Sequence, residues 1–159
     1  MSSPDLKQSD YAALAEFRHQ IRCFLHFSEQ AARRAGVEPQ QHQLMLALRA
    51  AASRDGSRIA YLAERLQIQH HSAVELVSRL EEKDLIQRNR GAEDRREVYV
   101  SLTPRGEQVL RELTLHHREE LRSAAPALIA ALRRVSGRAN QQPSKRAVAK
   151  PRSAAEAKR

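Results

Sequence analysis

Arg88, Arg90, Arg95 and Arg96 crowd into one charged stretch, QRNRGAEDRREVYVSLTP, with Asp94 two positions before Arg96. Guanidinium groups grip phosphate oxygens, and a nearby carboxylate can hold one of them in a fixed orientation, which lowers the entropy lost when it enters a narrow groove. Just upstream, HHSAVELVSRLEE carries His70, His71, Ser72, Glu75 and Arg79 among apolar residues at helical spacing. Side chains of that kind on a helix can read base-pair edges in a major groove, and the amides at the helix start can meet phosphate. Arg96 is therefore expected to enter a minor groove or clamp a phosphate, with Arg88, Arg90 and Arg95 as sequence-independent phosphate contacts. His71 and Ser72 are best placed for base edges or phosphate. His70 and Arg79 are further candidates, and Glu75 could accept from cytosine or pair with Arg79 four residues on. The competing reading of both sets is a solvated polar surface.

Other chemistries find little support. The chain has no nucleophile elbow, phosphate-cradling glycine loop, His-Glu-x-x-His or paired-cysteine motif, so no enzyme and no cofactor is expected. His42, His116 and His117 are the most concrete metal candidates, but His116 and His117 are adjacent and point apart, so no metal is expected either. His42 is instead a candidate for the lining of an effector pocket. The single cysteine, Cys23, sits among Ile21, Phe24 and Leu25 and reads as a buried or inert thiol.

Several elements must position these groups. Tyr11, Leu14, Phe17, Ile21, Phe24 and Leu25 recur every three or four residues, which predicts a long helix capped by Asp10 and closed by Gly36. Pro39 opens a second helix with Leu44, Met45 and Leu48 inward, broken by Asp55-Gly56. Ser57 should cap a third, bearing Ile59, Leu62, Ala63 and Leu66. A tight turn at Gln67 to Gln69 then leads into a fourth, starting near His70, with Val74, Val77 and Leu80 inward and Leu76 on an exposed or flanking face. Ile86 to Arg90 and the alternating Val98, Val100 and Leu102 make a two-stranded ribbon, turned at Gly91 to Asp94. Thr103-Pro104 caps a fifth helix, and Pro126 interrupts it to start a sixth. The first helix and those after Pro104 are left over from the ribbon unit, and their apolar stripes call for a second copy of the chain.

The 159 residues suit one domain, and the net charge of +9 suits a polyanion. Much of that charge lies in residues 137–159, where Arg138, Lys145, Arg146, Lys150, Arg152, Lys158 and Arg159 oppose Glu156 alone. This stretch has too few apolar residues for a core and is expected to be disordered, like residues 1–9, and to add salt-sensitive affinity for DNA, although it could simply solubilise the chain. One cysteine and no long apolar run point to the cytoplasm.

Over roughly residues 10–135 the chain resembles the MarR family of bacterial transcriptional regulators. The resemblance rests on PQQHQLMLAL, IAYLAERL, HHSAVELVSRLEEKDLI and DRREVYVSLTPRGEQVL, the last containing the family's Asp-x-Arg at Asp94 and Arg96. It implies a mainly α fold with a small β wing: a winged helix-turn-helix at 57–104 within a domain spanning 10–136, with helices 10–35 and 105–136 forming a dimerisation layer. It also implies a homodimer that binds double-stranded DNA at a pseudo-palindromic operator, acts as a repressor, and is released by a small anionic or phenolic effector. Two positions depart from the family pattern: Asp84 stands where glycine commonly closes the recognition helix, and Glu38 stands where serine or threonine caps the second helix. The alternative to a regulator is an architectural, nucleoid-associated DNA binder without effector control.

Overall fold

The structure is a computed structural model that describes residues 5–51, 57–91 and 97–136. In chain order it contains α1 (Gln8–Arg34), α2 (Pro39–Ala50), α3 (Ile59–Leu66), α4 (His70–Glu82), β1 (Ile86–Arg90), β2 (Val98–Leu102) and α5 (Pro104–Ser136). The mainly helical fold with a small β wing is as expected. The Asp55-Gly56 break, the wing turn at 92–96 and the tail at 137–159 lie outside the described residues.

One core joins the elements from α2 onward. Val37, Leu44, Met45, Leu48, Leu62, Leu76, Val77, Leu80, Leu85, Ile86, Val100 and Leu110 form a continuous buried cluster. Full burial of each large aliphatic side chain contributes about 1.5–3 kcal/mol, so α3, α4 and the wing are held as a unit on α2 and the start of α5. The two strands are antiparallel, pairing Ile86 with Leu102 and Arg90 with Val98. The remaining two helices lie along each other, α1 against α5, with Ala32, Ser28, Leu113, His117 and Ala131 buried.

Local chemistry explains most helix ends. Asp84 takes a left-handed φ of 55°, the conformation expected where the recognition helix closes, and Gln67 takes the same φ at the end of α3. Gly36, at φ 76°, closes α1. At Glu38 the cap is completed by its partner: the Gln41 side-chain oxygen accepts the Glu38 backbone N–H at 3.1 Å.

Five expectations need correction. α1 begins at Gln8, with Lys7 as its cap; Asp10 serves from the third helical position, accepting the Lys7 amide at 2.8 Å. α3 is preceded by Arg58 in extended conformation, so Ser57 is not its cap. The inward stripe of α4 is Ala73, Leu76, Val77 and Leu80, spaced three, four and seven apart, so Leu76 is buried and Val74 moves to the flank. Strand β2 does not alternate as a half-buried strand should: Tyr99 and Val100 are both buried while Val98 is exposed. Tyr99 is covered on the second face by the Arg58 side chain, whose guanidinium lies 5.6 Å from the ring centre, while the Arg58 backbone bridges to Tyr99 at the strand edge. Finally, α5 runs unbroken through Pro126 to Ser136. Proline removes one helical hydrogen bond there, a loss outweighed by continued packing of α5 on α1 through Ala131.

Candidate nucleic-acid interface

The polar face of α4 emerges from this packing. With Ala73, Leu76, Val77 and Leu80 turned into the core, His70, His71, Glu75 and Arg79 are exposed and Ser72 is half-buried. Glu75 and Arg79 approach to 3.9 Å, but both side chains are about two-thirds exposed, so the pair is loose and either group can be taken by another partner. The start of α4 abuts the base of the wing: His70 lines a small hollow with Arg58, Ile59, Ala60, Glu97 and Val98.

The two described wing arginines differ. Arg90 is exposed at the end of β1. Arg88 points back towards α4, where it pairs with Glu81 and donates to the Ser78 hydroxyl at 2.9 Å. Its backbone amide donates to the same Glu81 carboxylate. Arg88 is thus a strut between β1 and α4, committed to internal partners. Asp94, Arg95 and Arg96 lie outside the described residues.

Residues that the sequence reading passed over hold the other side of the wing. Arg58 donates to Glu97 at 2.6 Å, the Tyr99 hydroxyl donates to the other Glu97 oxygen, and the Arg58 guanidinium lies 5.6 Å from the centre of the Tyr99 ring. Arg58 falls between a loop and an apolar helix and its partners are remote in sequence, so no periodic pattern marks it. Lys83 is a similar case: from the end of α4 it donates to Gly36 O at 2.9 Å and to Gln41 Oε1 at 3.1 Å, tying the recognition helix to the α1–α2 junction.

His42 sits deep between α1, α2 and α5. Its ring stacks on His117 with centroids 4.9 Å apart and 24° between planes, while Phe24 and Phe27 meet His117 edge-on. His117 donates through Nδ1 to Leu113 O, because a carbonyl can only accept, and its Nε2 lies 2.7 Å from the Ser28 hydroxyl. Burial, aided by the charge of His117, lowers the pKa of His42 to about 4. The large open groove of about 1090 Å³ lies farther along α2 and α5, between Leu46, Arg49, Arg111, Leu115 and Arg118, and His42 is not part of its lining. Cys23 is exposed rather than buried, 3.6 Å from His19 Nε2, because the inward face of α1 passes through Phe24, Phe27 and Ser28.

A helix-turn-helix whose second helix shows a polar face beside a two-stranded wing defines the class of winged-helix DNA-binding regulators. Within that class the chain carries the pattern of the MarR family: the family's model matches residues 35–97, and the resemblance seen in the sequence is borne out. No curated protein matches the chain. Among solved structures it is similar to MepR, a transcription regulator of the Staphylococcus aureus multidrug efflux pump MepA, at 23% identity over 69% of this chain and 79% of that one, with a TM-score of 0.62. AbsC, a MarR family transcriptional regulator from Streptomyces coelicolor, is similar at 19% identity over 88% of this chain and all (100%) of that one, TM-score 0.65. A MepR mutant from S. aureus, bound to an oligodeoxyribonucleotide, is similar at 23% identity over 77% and 84%, TM-score 0.60. At these identities the structures establish a shared fold. Among the described residues no helix is long and apolar enough to cross a membrane.

Proposed function

We propose that the chain is a sequence-specific, DNA-binding transcription regulator that works as a cytoplasmic homodimer on a pseudo-palindromic operator and represses the genes it controls. The observation that carries this reading is the exposed face of His70, His71, Glu75 and Arg79 on α4, set beside the wing and backed by a fully packed core. A helix so presented inserts into the major groove while the wing arginines, Arg90 and, from outside the described residues, Arg95 and Arg96, reach the backbone or minor groove. The DNA-bound MepR mutant of similar fold supports the choice of partner.

Dimerisation is supported by apolar side chains left open on α1 and α5. Tyr11, Leu14 and Leu25 on the first, and Ile129, Leu132 and Val135 on the second, are all at least 41% exposed. Single exposed apolar residues are ordinary, but stripes along two adjacent helices are the surface a second copy would cover. Effector control is supported by the α2–α5 groove, whose Leu46 and Leu115 walls and Arg49, Arg111 and Arg118 suit a small organic anion.

Selection of bound fragments from genomic DNA with the purified full chain tests the proposal. A preferred pseudo-palindrome with half-sites about 10 bp apart is expected to survive competition by bulk DNA. Equal affinity for all duplexes would instead favour a nucleoid-associated packing protein, a role for which the basic residues 137–159 speak.

A further inference from the structure

A two-stranded ribbon of five-residue strands has little stability of its own, so its angle to the recognition helix depends on what holds its base. Strand β1 is held by Arg88 on Glu81 and Ser78 of α4. At β2, beside the buried Val100, Glu97 supplies a polar anchor, accepting from Arg58 with one carboxylate oxygen and from Tyr99 with the other. Arg58 is the residue that leads into α3, and its backbone makes a single antiparallel bridge to Tyr99. Glu97 therefore joins the wing to the first helix of the helix-turn-helix at the hollow where His70 opens α4. Its backbone carbonyl also accepts the Gly91 amide, closing the ribbon just below its turn.

The charge of Glu97 makes this arrangement diagnostic. A carboxylate beside the expected duplex surface repels phosphate, so removing an acid that has no other task would strengthen binding to every duplex. We infer that Glu97 is a positioning residue for DNA recognition: by clamping Arg58 and Tyr99 it fixes the wing relative to α4, and its removal weakens binding to the preferred site. The inference rests on the regulator function proposed above. The clamp lowers the cost of ordering the wing on the duplex, a benefit realised where wing and helix must engage one site together.

The test uses the full chain and two variants, Glu97→Ala and Tyr99→Phe, the second of which keeps the buried ring and removes only the hydroxyl. Affinity is measured for the selected duplex and for an unrelated duplex of equal length, with thermal melts alongside. Glu97→Ala is expected to lower affinity for the selected duplex about tenfold while affinity for the unrelated duplex holds or rises, shrinking the ratio between them. Tyr99→Phe should shrink the ratio in the same direction by a smaller factor. An intact ratio in Glu97→Ala that melts like wild type would overturn the inference, and where Glu97→Ala loses folded protein and lowers both affinities together, the ratio in Tyr99→Phe decides. Tighter binding of Glu97→Ala to both duplexes, or an unchanged ratio in Tyr99→Phe, would also overturn it. A wild-type chain with no preference between duplexes would remove the regulator reading itself and the clamp with it, whereas a preference that Glu97→Ala retains in full would remove the clamp alone.

Discussion

His42 stacks on His117 at 4.9 Å, joining the helix that leads into the DNA-reading unit to the long helix α5. The contact is favourable only while at least one ring is neutral, and burial lowers the His42 pKa from 6.5 to about 4. The unfolded chain therefore takes up a proton as pH falls through 6.5, whereas the folded chain takes it up only near 4. The His42 contribution should fall with decreasing pH across that window and be spent below it, a loss of at most about 2–3 kcal/mol. Chemical denaturation at half-unit pH steps checks this. His42→Phe, which keeps a stacked ring, should flatten the curve between pH 6.5 and 4, and an unchanged curve would assign the effect to other groups.

Gly106 is packed against the backbone of Leu85 so closely that a Cβ would come within 1.9 Å of the Leu85 carbonyl oxygen. The approach is organised by Thr103, whose amide donates to Leu85 O and whose hydroxyl donates to Asp84 O at 2.7 Å and accepts the Gly106 amide at 3.0 Å. Backbone atoms cannot rotate aside as a side chain can. Gly106→Ala should cost about 1–3 kcal/mol or more and lower the melting temperature, because α5 must lift from the end of α4. A melt equal to wild type would show that the junction yields.

The sequence made those elements visible whose residues repeat along one helix or strand. Helices α1 and α2 and the paired strands were legible because each depends on near neighbours, while the left-handed close at Asp84 was legible only through the family pattern. Leu76 was misassigned because Val74, Val77 and Leu80 also lie three or four apart, and only the floor supplied by the rest of the core chooses between two overlapping stripes. Pro126 read as a break because local propensity favours one, while packing along α1 decides otherwise. Arg58, Glu97 and Tyr99, like His42 and His117, meet across the fold from separate elements, and no periodicity could announce them. The candidate residues on α4 fell largely where their types suggested, whereas Arg88 looked like one more wing arginine until its partners on α4 were seen.

Arg88 and Arg90 should separate cleanly under substitution. Arg88 is mostly enclosed and bonded to Glu81 and Ser78, so Arg88→Ala should destabilise the fold by about 1 kcal/mol and loosen the wing. Arg90 is exposed at the strand end, so Arg90→Ala should leave the melt unchanged and weaken binding to all duplexes alike, reducing the salt dependence by about one phosphate contact. Melting curves and binding isotherms at several salt concentrations give both results. If Arg88→Ala melts like wild type and Arg90→Ala does not, the roles are reversed.

Leu132 and Ile129 test the assembly on which a two-fold operator depends. Each is 47% exposed on the outer part of α5. Placing a charge there costs the isolated fold little, but in a closed interface between two copies the same charge would be buried without a partner, a penalty of several kcal/mol repeated by symmetry. The double variant Ile129→Glu with Leu132→Glu should therefore remain folded by circular dichroism, run as a monomer by light scattering, and lose most of its affinity for the full pseudo-palindrome. Its affinity for a single half-site should stay near that of wild type, because α4 and the wing are untouched. A variant that remained dimeric would place the interface on another face of the molecule.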